Sequence, residues 1–103
     1  MAEILTREQE KYLGSNGVRT WLTTAEILDE LKRAQTLFPP FHSEHEGYAV
    51  LLEEVDELWD EVKGHVGQER RTAMRREAIQ VAAMALRFLL DVCDASSEEV
   101  ADA

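Results

Sequence analysis

The two prolines of this chain are adjacent, Pro39 and Pro40, and its glycines fall only at positions 14, 17, 47, 64 and 67. Proline removes a helical hydrogen bond and clashes with the preceding turn, so it ends a helix. Glycine closes one at little cost. Punctuation this sparse cuts the chain into few pieces, each long enough to be helical. None alternates apolar and polar residues with the β-branched enrichment of a strand, so no sheet is expected. Ile27, Leu28, Leu31, Ala34 and Leu37 recur at helical spacing, which predicts a helix from a cap at Thr23 or Thr24 to Leu37. Ser43-Glu44-His45-Glu46 has the hydroxyl and carboxylate spacing of a capping box. It opens a helix from Glu44 to Lys63, closed by Gly64, with Tyr48, Leu51, Leu52, Val55, Leu58, Trp59 and Val62 as its apolar stripe. Gly64-His65-Val66-Gly67 reads as a linker, and the last helix runs from Gln68 to Val92.

The expected organisation has three parts. Residues 1–22 form an N-terminal arm, with a short helix from Thr6 to Leu13 stopped at Gly14 and a turn at Ser15-Asn16-Gly17. Residues 23–93 form a helical domain, and 94–103 an acidic, disordered tail. The fold class is all-α: a helical bundle of three helices with a fourth, short one, and because a chain of 103 residues covers little of its own surface, a homo-oligomer sharing core between protomers is expected.

Charge narrows the partners. Lys and Arg total 11 against 21 Asp and Glu, a net charge of −10. This balance argues against sequence-independent nucleic-acid binding, which needs a basic footprint, and against docking on anionic lipid. A single cysteine, Cys93, allows no internal disulfide and suggests no zinc cluster. The N-terminus has no leader-like pattern, and no apolar run approaches the roughly 20 residues of a membrane span. The expected location is cytoplasmic.

The acids are not spread at random. At 100° per residue, with Glu54 at zero, Leu51, Val55, Leu58 and Val62 fall between about +40° and +100°, Glu57 near about −60° and Glu61 near about −20°. Glu54, Glu57 and Glu61 thus stripe the border of the apolar face, while Asp56 and Asp60 point away. On the last helix nearly the whole circumference is apolar from Ala78 to Leu90, the mark of a buried helix. Its narrow polar break holds Glu77, Gln80, Arg87 and Asp91. Carboxylates beside a core face on two neighbouring helices repel and lose hydration, so a positive partner is required. Either a divalent cation or Arg87 can supply it, and Arg87 can instead pair with Asp91 one turn on. Oxygen ligands without cysteine favour Mg²⁺ or Mn²⁺. Glu54 and Glu57, one turn apart, with Glu77 from across the helix pair, are the candidate ligands.

Glu53-Glu54-Val55-Asp56-Glu57, followed after 19 residues by Glu77-Ala78-Ile79-Gln80, resembles the EExxE…ExxD signature of the MazG-like all-α nucleoside triphosphate pyrophosphohydrolases. That superfamily also includes the dimeric dUTPases and the phosphoribosyl-ATP pyrophosphohydrolases. His45-Glu46-Gly47-Tyr48 and the run from Val81 to Phe88 resemble its small, single-domain, phage-type members. The resemblance spans residues 24–92. It implies a four-helix-bundle-like core completed by oligomerisation as a homodimer or homotetramer, Mg²⁺ as cofactor, and a hydrolase that cleaves a nucleotide substrate between its α and β phosphates. Carried over by position, Glu54, Glu57 and Glu77 match the metal ligands. Gln80 stands where the family has its final Asp, offering a neutral oxygen but no charge. A catalytically degenerate nucleotide-binding or protein-interaction module is therefore the alternative. Glu61 or Asp91 can substitute for the missing acid. Glu53 or Glu57 is the candidate for orienting the attacking water. Arg87 and Lys63 are the candidates for the phosphates, with the pairs Arg70-Arg71 and Arg75-Arg76 behind them. Phe38, Phe41 and His42 are the candidates for the base.

Overall fold

In the computed structural model, which describes residues 6–64 and 67–94, helix α1 runs over Arg7–Leu37, α2 over Glu44–Gly64 and α3 over Gly67–Phe88. A π-helical stretch, Leu89–Asp94, continues α3. The described residues contain no strand, and the protein is an all-α helical bundle. No described helix is long and apolar enough to cross a membrane. His65 and Val66 of the expected linker, and the expected tail from residue 95 on, lie outside the described residues.

The N-terminal third departs most from expectation. A single helix of 31 residues replaces the arm, turn and shorter helix, so the boundary expected at residue 22 falls inside α1. Thr6 starts it. The Thr6 hydroxyl accepts from the Gln9 N–H at 3.1 Å, and the Gln9 side chain accepts from the Thr6 N–H at 2.8 Å, a complete capping box. Among the described residues only Gly67 has a positive φ, so Gly14 and Gly17 keep ordinary helical backbone. Two glycines cost about 2 kcal/mol against alanine, whereas nucleating a fresh helix costs roughly 4 kcal/mol. Continuing the helix is the cheaper course. Thr24 consequently lies mid-helix, where its hydroxyl donates to the Thr20 carbonyl at 2.8 Å instead of capping.

The proline pair acts as predicted. Phe38, forced out of helical space by the following Pro39, is extended (φ −131°, ψ 145°), and its N–H donates to the Ala34 carbonyl to close α1. At the start of α2 the Ser43 hydroxyl accepts from the Glu46 N–H at 3.1 Å. The Glu46 carboxylate takes the His42 N–H at 2.5 Å, not that of Ser43, so the box is shifted by one residue. Gly67 opens α3 at φ +76°, a conformation that favours glycine. Arg70 then reaches back, its Nε donating to the Val62 carbonyl in the last turn of α2 at 3.0 Å. This satisfies a carbonyl that the helix end leaves open.

Helix α3 packs on both α1 and α2. The core is small: Leu31 and Ala34 from α1, Phe41 from the loop, and Ala83 and Met84 from α3. Ile27, Val50, Leu51, Leu86, Phe88 and Val92 pack around it, half-buried. Alanines at 34 and 83 let the α1 and α3 backbones approach closely. Gly47 does the same for α2, since a Cβ there would stand 2.7 Å from a ring carbon of Phe88. Arg75 of α3 clasps Glu26 of α1 from outside, at 2.5 and 2.9 Å. The predicted stripe on α2 divides in two. Leu51, Leu58 and Val62 are half-buried, while Tyr48, Leu52, Val55 and Trp59 face outward. The outward set is more than one neighbouring helix pair covers.

Candidate metal centre

Antiparallel neighbours α2 and α3 bring their acidic borders face to face. Glu54, Glu57 and Glu77 each offer one carboxylate oxygen, and these three oxygens lie within 4.8 Å of one another. Oxygens sharing an octahedral ion at about 2.1 Å stand about 3–4 Å apart, so this spread is within a small side-chain rotation of a shared ion. Three hard oxygen donors suit Mg²⁺ or Mn²⁺.

Nothing within the trio balances its charge. Burial pushes the Glu54 carboxyl above the usual carboxylate range, and the charges of Glu57, Glu77, Glu53 and Glu30 push it further. Glu77 is raised first by burial and then by Glu57, with Arg76 opposing and Glu61 adding. Both shifts record charged groups held together at a cost.

Glu54 also lines a cleft of about 380 Å³ that runs between α1, the proline loop, α2 and α3. Volumes of this order take small organic ligands. Its polar lining includes Glu30, Arg33, Glu53, Glu54, Gln80 and Arg87, and its apolar lining includes Phe38, Phe41, Val50 and Met84. Glu53 is exposed on the same wall as Glu54. Gln80, one turn beyond Glu77, faces the Glu30 carboxylate across the α1–α3 contact and adds to Arg33 in holding it below its usual range.

The basic candidates are placed very differently. Arg87 is 4 % exposed and lies under the loop. It donates to the Pro39 carbonyl, stacks on the Phe41 ring at 4.3 Å and stands 3.5 Å from Asp91. The same Asp91 oxygen accepts the Phe41 N–H at 3.1 Å. The i, i+4 pairing of Arg87 with Asp91 thus fastens the loop to α3, and Asp91 is used there. Lys63 sits at the end of α2, 3.6 Å from Asp60 and 5.9 Å from the Trp59 ring centroid, and does not line the cleft. Arg70 caps α2 and Arg75 holds Glu26. Phe38 and Phe41 line the cleft, and His42 does not.

Sequence reasoning missed two members of this site, Glu30 and Arg33. Arg33 grips Glu30 with three contacts of 2.5 to 3.2 Å, which holds the Glu30 carboxyl below its usual range. The signal was present: with Ile27, Leu31 and Ala34 marking the inner face of α1, Glu30 falls about 60° from Ile27, on the border of that face. Set beside family models, curated proteins and solved structures, the chain matches none of them.

Proposed function

We propose that the protein is a Mg²⁺-dependent nucleotide pyrophosphohydrolase of the MazG-like type its sequence resembles, converting a nucleoside triphosphate to the monophosphate and pyrophosphate. The observation that carries this reading is the position of Glu54, which belongs both to the carboxylate trio and to the wall of a cleft with an aromatic far end. A nucleotide has the matching polarity, with polyphosphate at one end and a flat base at the other.

Glu54, Glu57 and Glu77 would hold the metal, Mg²⁺ or in its place Mn²⁺. When bound, the ion neutralises phosphate oxygens and so favours attack at phosphorus. Glu53, exposed beside Glu54, takes the proton of the attacking water, with Glu57 as the other candidate. The new bond joins the water oxygen to the α-phosphorus. The bond to the bridging oxygen breaks, and pyrophosphate leaves with that electron pair. Phe38, Phe41 and Met84 exclude water around the base. Most of the acceleration comes from placement and charge. On this reading the protein acts in the cytoplasm.

A second copy of the chain completes the bundle as a homodimer or homotetramer. What supports this is the outward stripe Tyr48, Leu52, Val55 and Trp59, spaced by four, three and four residues, with Tyr48 61 % and Trp59 56 % exposed. That spacing is the seam of paired helices, which two copies can share.

The test is pyrophosphate release from a panel of ribo- and deoxyribonucleoside triphosphates with and without Mg²⁺. Glu54→Gln and Glu77→Gln are expected to cut turnover by at least about 100-fold while preserving helical content. Release that is independent of Mg²⁺, or retained in both variants, rejects the assignment. The second reading, a binding module without turnover, is favoured by the engagement of Gln80 with Glu30. It predicts Mg²⁺-dependent nucleotide binding but no pyrophosphate from the wild type, and turnover gained on Gln80→Asp.

A further inference from the structure

Two cations line the cleft, Arg33 and Arg87, and they differ in what they are free to do. Arg87 is enclosed beneath the loop with the Pro39 carbonyl, Asp91 and the Phe41 ring. Arg33 has a side chain 54 % exposed and is bound only to a carboxylate one turn back on its own helix. Glu30 raises the Arg33 pKa and the Glu54 charge already adds to that pull, yet the hydrogen bonds of Arg33 go to Glu30. The Arg33 Nε and Nη2 atoms donate side by side to the two oxygens of Glu30. That fork fits a phosphate equally well, and an exposed i, i+3 ion pair is cheap to break. Gln80 of α3 faces the same Glu30 carboxylate and adds to Arg33 in holding it below its usual range.

We infer that Arg33 is the phosphate-gripping residue of this cleft, held by Glu30 until a polyphosphate takes it over. This inference rests on the proposed metal-and-nucleotide reading of the same site and adds to it the residue that meets the non-bridging phosphate oxygens.

The experiment is calorimetric titration of the full chain, first with Mn²⁺ and then, at saturating Mn²⁺, with inorganic pyrophosphate. Arg33→Gln is expected to leave Mn²⁺ affinity unchanged or slightly tighter and to weaken pyrophosphate by about tenfold or more. Arg33→Lys, which keeps the charge but not the fork, falls between. Glu30→Gln, which loosens the resting grip, tightens pyrophosphate by about twofold to threefold. Circular dichroism of each variant checks that the fold is kept, which the exposure of Arg33 favours. Arg33→Gln binding pyrophosphate within twofold of wild type, with Mn²⁺ binding intact, overturns the assignment of Arg33 alone. Glu30→Gln weakening pyrophosphate overturns the handover. A wild-type chain that binds no Mn²⁺ overturns the metal reading itself, and the assignment of Arg33 with it.

Discussion

The cleft has an aromatic end and a carboxylate end, and the two handle charge in opposite ways. At the aromatic end Arg87 is nearly enclosed, but Asp91, the Pro39 carbonyl and the Phe41 ring surround it. Its charge is answered within the chain. At the carboxylate end Glu54, Glu57 and Glu77 meet without an equal cation. Arg76 opposes only part of the repulsion at Glu77, and Arg33, the nearest cation on α1, is bound to Glu30. A charge answered within the fold is holding the fold together. A charge left unanswered costs stability, and a cation from outside is one way to balance it.

That contrast is broken most forcibly at Asp91. Replacing it by Ala removes the acceptor of the Phe41 N–H and the counter-charge of Arg87 together. Losing one partner of a buried pair leaves the other charged and unmatched, and the expected loss is about 3 kcal/mol. Urea unfolding reads it directly. A loss below about 0.5 kcal/mol would show that Arg87 finds water or another partner, and that the aromatic end is not held by this pair.

The carboxylate end is predicted to respond in the opposite sense. Glu54 and Glu77 bind protons more readily in the folded chain than in the unfolded one. Their contribution is therefore most favourable below the ordinary carboxylate range and is lost as pH rises through their raised values. Glu26 and Glu30, held down by Arg75 and Arg33, work the other way and lose their contribution as pH falls. Comparing wild type with the Glu54→Gln, Glu77→Gln double variant isolates the first pair. Without divalent ions the variant is expected to melt higher at pH 7, and the gap should close near pH 4. Adding Mg²⁺ at pH 7 should raise the melting temperature of the wild type and leave the variant unmoved. A wild type indifferent to Mg²⁺ would make the trio an ordinary acidic surface.

How far the sequence discloses this depends on what each residue answers to. The helices α2 and α3, and the break at Pro39-Pro40, follow from local chemistry: proline geometry, Ser43 at a helix start, apolar residues at helical spacing. The meeting of Glu54, Glu57 and Glu77 was also legible, because two helices joined by a short linker must lie side by side and each border can be computed. Gly14 and Gly17 misled, since glycine permits a stop without requiring one. The Thr6 to Gln9 capping box, readable in the same stretch, was the stronger signal. Arg87 reads as a phosphate ligand from its face, but which face the proline loop folds over depends on Phe41, whose place is set by tertiary packing. Glu30 and Arg33 enter the site from a third helix whose rotation about α3 no local rule fixes. Trp59, expected within an apolar stripe, stays outside because one inward face of α2 cannot take all seven apolar residues.

Lys63 provides the smallest effect and the cleanest control. From sequence it is a phosphate candidate near the acidic helix, yet it belongs to neither end of the cleft. Its ammonium lies 3.6 Å from Asp60, and both side chains are more than half exposed. A pair so wet contributes little, because water solvates either charge nearly as well as the partner does. Its approach to the Trp59 ring at 5.9 Å is at the outer limit for a cation over an aromatic face. Lys63→Ala is therefore expected to change unfolding free energy by less than about 0.5 kcal/mol. It should also leave Mn²⁺ and pyrophosphate titrations as they are in the wild type, where Arg33→Gln alters the second. A pyrophosphate affinity that falls with Lys63→Ala would mean that the end of α2 reaches the polyphosphate after all. Lys63 could then be reaching the cleft of a second copy docked on the Trp59 stripe, since it does not line the cleft of its own chain.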